Sequence, residues 1–424
     1  MLHKMVKYFL LILLFPIVAN AQNGDIGGIE TFKIQITKSL TLNDVVHAAL
    51  ALSLEEGVTK SGENYSDALR GRASSLFSDT PEISIKHQND RLLSDQGLRE
   101  WEASLDLPLW MPGQKSASMQ KARMSAQEAT AYKKFINLQV TGQVRELLWE
   151  LKLADVNLDQ SRRNLATARA MDNNITKRIA AGNLPKRDAI LSSKEVMSRR
   201  IEIINAEAEY IHVAKRYESV TGLNQMPEFI EESLMHENES QTLEESSDQT
   251  AVIELANAKV EFMRAEFGEQ NSSWSNSPKL SIGLKRERGN FMDRNIDSIA
   301  LGLSVPLGAS VHMTSRRSAV AKTLAEAERD RELIKREIRL ALHESEHELE
   351  ICEIQLPFAQ SHFDLAKENL RLSQKAFDMG ESNLLELIKI QEQYYMSSNQ
   401  NSIKIIECKR AIARHNQIRG VLVP

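Results

Sequence analysis

A chain of 424 residues with a formal net charge of −5 lacks the basic surface that a nucleic-acid partner demands. After residue 21 it holds no stretch of ~18 consecutive apolar residues, so no transmembrane helix is expected and only strands could carry it across a membrane.

At the N-terminus Lys4 and Lys7 precede the apolar run Tyr8 to Val18, and Ala19-Asn20-Ala21 supplies the small-x-small pattern of a signal peptidase site. Residues 1–21 read as a removed secretory leader, since the run is shorter than the ~20 residues of a spanning helix. Losing Lys4 and Lys7 takes the charge from −5 to −7. No cysteine near the cleavage point offers a lipid anchor.

Residues 22–223 form a first repeat. Its start is short of structure, with one clear helix, Leu42 to Glu56, before a Gly- and Ser-containing stretch that reaches residue 80. A β-hairpin is expected over 81–109. Its second strand alternates Trp101, Ala103, Leu105, Leu107 and Leu109 with Glu100, Glu102, Ser104 and Asp106. A helical hairpin follows over 114–222 and turns at Gly182. From Gln114 to Ala181 there is no proline and one glycine, Gly142, while Val140, Val144, Leu147, Leu148, Leu151, Ala154 and Leu158 keep the spacing of one apolar stripe. Such a helix extends on the order of 100 Å at ~1.5 Å per residue. Residues 224–249, rich in acids and free of bases, read as a loosely structured connector.

The second repeat, 250–424, has a β-hairpin over 278–307 and a helical hairpin over 310–419 that turns at Gly380. Ile299, Leu301, Leu303, Val305 and Leu307 alternate with Ser298, Gly302 and Ser304. Pro357 predicts a kink in the first long helix without ending it.

The two halves keep one spacing. Pro81-Glu82-Ile83-Ser84-Ile85 returns as Pro278-Lys279-Leu280-Ser281-Ile282, an offset of 197 (278 minus 81). Leu105-Asp106-Leu107-Pro108-Leu109 returns as Leu303-Ser304-Val305-Pro306-Leu307, and Gly182 with Asp188 returns as Gly380 with Glu386, each offset by 198. Such agreement marks a duplicated unit of two strands and a long helical hairpin. The fold class is therefore mainly α with a small antiparallel β part. Alternation alone fits a soluble sheet as well as a barrel. Four strands cannot close a barrel, so either the sheet is soluble or several chains pool their strands.

This combination of leader, repeated Pro-x-[Ile/Leu]-Ser-Ile and [Asp/Ser]-[Leu/Val]-Pro-Leu strand motifs, and a glycine turn with an acid six residues on resembles the TolC-like outer-membrane efflux proteins, in the branch of heavy-metal and drug pumps. The resemblance implies a homotrimer whose subunits pool four strands each into a twelve-stranded barrel in the outer-membrane lipid, continued by a helical tunnel into the periplasm. It implies an exit duct of a tripartite efflux or type I secretion system. Its partners would be a periplasmic adaptor and an inner-membrane pump, such as one of the resistance-nodulation-division type. Gly182, Asn183, Gly380 and Glu381 would be tip turns that meet the adaptor. Glu386, with Asp188 as its first-repeat equivalent, would ring the aperture, and Lys389 stands where the family carries a further acid. Three copies of Glu386 would favour cations, an effect that pairing with Lys389 at i,i+3 would offset. Trp101, Leu105, Leu107, Leu301 and Leu303 would face lipid. The other class is a soluble periplasmic coiled-coil scaffold or adaptor with a small soluble sheet.

Chemistry is scarce. His343, Glu344, Glu346, His347 and Glu350 have histidines one turn apart but no third ligand from another element, and read as a solvated helix face. No glycine-rich phosphate loop, nucleophile elbow or Cys-x-x-Cys is present, so neither a catalytic site nor a cofactor is expected. Cys352 and Cys408 lie 28 residues before and after Gly380 (380 minus 352, 408 minus 380) and should stand at equal height on the hairpin. Both a disulfide and two separate buried thiols fit that placement.

Overall fold

The computed structural model describes residues 32–234, 250–272, 277–306 and 310–423. The expected leader, most of the connector (235–249) and Leu307 lie outside the described residues.

Chain order is β1 (Gln35–Thr37), α1 (Leu42–Leu52), α2 (Glu55–Ser74), β2 (Glu82–Asn89), β3 (Arg99–Pro108), α3 (Gln114–Ala180), α4 (Lys186–Thr221) and β4 (Gln225–Pro227). Then come α5 (Ala251–Ser272), β5 (Lys279–Arg288), β6 (Ile296–Ser304), α6 (Ser310–Asp378) and α7 (Leu384–Ile418). Helix, two strands, very long helix and return helix occur twice, as α2-β2-β3-α3-α4 and α5-β5-β6-α6-α7. No described helix is long and apolar enough to cross a membrane.

Two expectations are corrected at the start of the chain and in the connector. The single helix expected over Leu42 to Glu56 is two helices, and α2 fills the stretch read as short of structure. Gly57, Gly62 and Gly71 lower its propensity, but it lies along α3, with Gly62 facing Ala129. Tyr132 of α3 donates its hydroxyl to Glu55 at 2.6 Å. The first repeat thus has the same leading helix as the second, which carries α5. The connector is not loose in its first residues either. β4 pairs in parallel with β1, Met226 and Ile230 are buried, and Glu232 accepts two hydrogen bonds from Arg145 at 2.8 and 2.7 Å.

The main core follows the α3 stripe. Val140, Val144, Leu147, Leu148, Leu151, Ala154 and Leu158 are all buried, against Tyr210, Val213, Ala214 and Tyr217 of α4. Each buried Val or Leu among them contributes about 1.5–3 kcal/mol over its exposed state. Gly142 marks the point where the end of α7 crosses α3, because a Cβ there would meet the Gln417 amide at 2.7 Å. Beside it Arg145, 4% exposed, also donates to the Gln417 side chain and the Val421 carbonyl, at 2.6 and 2.9 Å. One buried guanidinium thereby ties α3 to the connector and to the C-terminus.

α6 runs unbroken through Pro357. Cys352 of α6 and Cys408 of α7 stand at equal height as expected, and they form a disulfide with Cα atoms 5.4 Å apart. The long helices lie as one layer in the order α4-α3-α7-α6. The sheet has the order β2-β3-β5-β6, antiparallel throughout. Both arrays therefore end in unpaired edges, β2 and β6 in the sheet, α4 and α6 in the layer.

Candidate functional site

The sheet separates its two faces row by row. Ile83, Leu105, Ile282 and Leu301 are successive Cα partners across the four strands, as are Ile85, Ala103, Leu284 and Ile299. Leu107, Leu280 and Leu303 continue the same face. On the opposite face the rows are Ser84-Ser104-Gly283-Ala300 and Lys86-Glu102-Lys285-Ser298. Its lysines are matched, with Lys285 Nζ 3.1 Å from Glu100 and 2.6 Å from Glu287, and Lys279 Nζ 2.8 Å from Glu82.

It is the apolar face that lies open. Trp101 is 48% exposed, Leu105 40%, Leu301 74% and Leu303 66%, whereas Leu107, nearer the helices, is half-buried. A continuous bare apolar surface on a sheet with two free edges is unstable against water and prone to pair with other chains.

The helical layer repeats that pattern. On α6, Ile351, Phe358, Leu365 and Leu372 are exposed at intervals of seven, and Met379 follows at the same interval. On α4, Ile190, Met197 and Ile204 are exposed at the same spacing. A seven-residue apolar repeat is the seam of a coiled coil, and both seams lie on edge helices. The sequence reading did not single out these stripes, although their spacing is legible in it.

At the far end the two helical turns are built alike. Gly182 and Gly380 have φ of 80° and 78°. The amides of Gly182 and Asn183 bond to the carbonyls of Ile179 and Arg178, and those of Gly380 and Glu381 to Phe377 and Ala376, at 2.9 to 3.1 Å. This is the glycine C-cap in which left-handed backbone satisfies the last helical carbonyls. Gly182, Asn183, Gly380 and Glu381 are all exposed. The turns stand together, since Ile175, Phe377, Leu384 and Leu387 form one buried cluster and Arg178 reaches Asp378 at 3.3 Å.

Just past the turns the repeat breaks its symmetry. Asp188 and Glu386 each occupy the third position of a return helix, where a carboxylate favours the positive end of the helix dipole. That common need accounts for an acid in both halves. Asp188, however, is buried at 6% exposure, whereas Glu386 is exposed, with its backbone amide donating to the Asn383 side chain at 3.0 Å. Lys389 is exposed too, and no ion pair joins it to Glu386. The structure thus brings both turns and both acids to one end but presents only Glu386 to solvent.

Above this end, Arg199 of α4 lies over the Tyr395 ring of α7, 5.0 Å from its centre, and is held by Glu195 at 2.6 Å and Glu202 at 2.7 Å. Burial pushes the Tyr395 hydroxyl up to about 12, so it stays neutral and takes a hydrogen bond from Gln391 at 2.7 Å. The helix face with His343 and His347 pairs His347 with Glu350 at 3.5 Å, and no group of three metal-type ligands occurs among the described residues.

No protein-family model and no curated protein matches the sequence. Solved structures do. The chain is similar to CusC, known for conformational changes that accompany folding and transmembrane channel formation, with a TM-score of 0.75 and 10% identity over 92% of this chain and 93% of that one. It is similar to the outer membrane protein VceC of Vibrio cholerae, with a TM-score of 0.71 and 11% identity over 89% and 96%. It is also similar to the open state of the Neisseria gonorrhoeae MtrE outer membrane channel, with a TM-score of 0.67 and 14% identity over 93% of each. At such identities the likeness establishes the fold, which is that of outer-membrane channel subunits of the TolC-like type.

Proposed function

We propose that this protein is the subunit of an outer-membrane exit duct, a passive channel of a tripartite efflux or secretion system. The observation that carries the reading is the coincidence of two open edges. A sheet with a bare apolar face and unpaired β2 and β6 tops a helical layer with bare seams on α4 and α6. β2 and β6 run in opposite directions, so β6 of one copy beside β2 of the next continues the antiparallel order. An edge-to-edge contact of this kind closes into a ring. Three copies give twelve strands, with the aliphatic rows toward lipid and the Ser, Lys and Glu rows toward water, as barrels in membranes require. The α6 seam then covers the α4 seam of the neighbour, and the tunnel continues the barrel.

In this assembly the turns at Gly182 and Gly380 are the periplasmic tips and the meeting place of an adaptor, which links the duct to an inner-membrane pump. Glu386, the exposed member of the acidic pair, faces the axis, and three copies concentrate negative potential there. The lone Lys389 tempers it.

Fractionation tests the reading. The protein should stay with the outer membrane and run as a detergent-stable trimer with measurable conductance in planar bilayers. Recovery as a monomer in osmotic-shock fluid would favour a soluble periplasmic scaffold.

A further inference from the structure

At the loop end the aliphatic face changes character. Above the leucine and isoleucine rows come His87, Trp101, Arg286 and Asp297, and above them Asn89, Arg99 and Arg288, all Cα partners on the same face. The Trp101 ring stacks on His87 with centroids 4.0 Å apart, as suits a side chain at the boundary of lipid and water. Arg286 is satisfied by Asp297 through two hydrogen bonds of 2.6 and 2.8 Å.

Arg99 and Arg288 have no such partner. They stand directly opposite each other on β3 and β5, where like charges destabilise a sheet. Arg288 donates to the Gly97 carbonyl at 3.3 Å and lies over Phe291, 5.7 Å from the ring centre, and Arg99 is exposed. Among the described residues no carboxylate lies within ion-pair distance of either. The opposite face gives the contrast, because each of its lysines has a carboxylate. The adjacent loops offer little compensation. Asp90 is spent on the Gln96 and Gly97 amides and the Ser94 hydroxyl, at 2.7, 3.3 and 2.9 Å, and Asp293 takes the Asn290 amide at 3.1 Å. Arg91 and Arg294 are exposed beside them, as is the acid Asp95, so the loops add no net positive charge of their own and the unpaired charge of this face sits on Arg99 and Arg288.

Two uncompensated guanidinium groups on one face are the donor set for a phosphate, whose oxygens match the planar fork of arginine. We propose that Arg99 and Arg288 bind the phosphate of a lipid headgroup in the outer leaflet of the membrane. This rests on the channel reading, which sets the aliphatic rows in lipid and the hairpin loops at the outer boundary. It goes beyond that reading, because a barrel needs only an apolar band and no particular headgroup. The bound phosphate removes the cross-strand repulsion, so the lipid completes the rim.

The test compares wild-type protein with R99Q/R288Q and, as a control on the other face, K86Q. All are purified in detergent, loaded with lipid A bearing its phosphates or with dephosphorylated lipid A, and examined as assembled particles by native mass spectrometry. Wild type and K86Q should retain the phosphorylated lipid about tenfold better than R99Q/R288Q. The dephosphorylated lipid should be retained no better by wild type than by R99Q/R288Q. R288K, which keeps the charge but loses the fork, should fall between and shows that the site survives folding. Retention of the phosphorylated lipid by R99Q/R288Q equal to that by wild type, retention of the dephosphorylated lipid by wild type as strong as that of the phosphorylated one, or full displacement by an excess of inorganic phosphate would overturn the proposal. Recovery of wild-type protein as a soluble monomer would instead remove the channel reading, and the lipid site with it.

Discussion

α3 and α6 are the same element of a duplicated unit, 67 and 69 residues long, yet they meet their surroundings in opposite ways. α3 leaves no large hydrophobic side chain exposed, while α6 leaves Leu333, Leu340, Ile351, Ile354, Phe358, Leu365 and Leu372 bare. α3 lies inside the layer, between α4 and α7, whereas α6 lies at its edge. Duplication thus supplied two equal long helices, and position in the layer assigned them different work. One builds the chain's own core, and the other leaves a bare seam that the proposed ring would cover with another copy.

The largest test of that contrast is Arg145 in the α3 core. Arg145→Ala leaves the mostly covered Glu232 carboxylate with the Asn416 amide but no cation, and should cost about 3–5 kcal/mol, read as a lowered denaturant midpoint of the isolated chain. Leu148→Ala, at 1% exposure, should cost about 2–5 kcal/mol in the same assay. The matching change on α6, Phe358→Ala, should leave that midpoint within about 0.5 kcal/mol and reduce only the yield of assembled particle. A large loss of monomer stability with Phe358→Ala would break the comparison.

The sheet sharpens it in the same way. Leu301→Arg or Leu105→Arg should cost about 2–4 kcal/mol of membrane stability and deplete the assembled form, while Ser104→Arg on the opposite face should be tolerated. Equal loss from both faces would remove lipid from the account. At the tips the expected effects are functional. Glu386→Ala should change conductance and cation preference in planar bilayers, and Asp188→Ala, buried at the equivalent position, should change neither in a folded channel.

The smallest effect is one of pH. Lys121 of α3 joins Glu266 at 2.9 Å and Glu269 at 3.2 Å on α5. Burial opposes its charge, but the bond to Glu266 and the two carboxylate charges prevail and raise it above the ordinary lysine value. A group raised on folding contributes below its unfolded pKa and loses that contribution as pH climbs through the folded one. Alkaline titration should therefore release α5 from α3 in wild type, a step that Lys121→Met should abolish when followed by hydrogen exchange.

Much of this was legible in the sequence because it is periodic. The α3 stripe from Val140 to Leu158, the alternation of Trp101 to Leu107 and the glycine turns each follow from a backbone repeat that fixes which side is buried. Counting from Gly380 sets Cys352 and Cys408 at one height, while their contact and their bond depend on which way the side chains face. What escaped had no period. The helix α2 is rich in glycine and serine and exists through its contact with α3, so propensity understated it. The order around β4 depends on Arg145, whose partner Glu232 is 87 residues away. The asymmetry of Asp188 and Glu386 could not be read from equal positions in a repeat, because burial depends on the neighbouring helix.

The central claim is that the edges β2 and β6 are closed by other copies of the chain. Amide hydrogen exchange on the detergent-extracted protein tests it directly, strand by strand. Closure predicts that the outward-pointing amides of β2 and β6 are protected as strongly as those of the central β3 and β5. Fast exchange confined to β2 and β6, with β3 and β5 slow, would contradict it and leave the sheet an open one on a single chain.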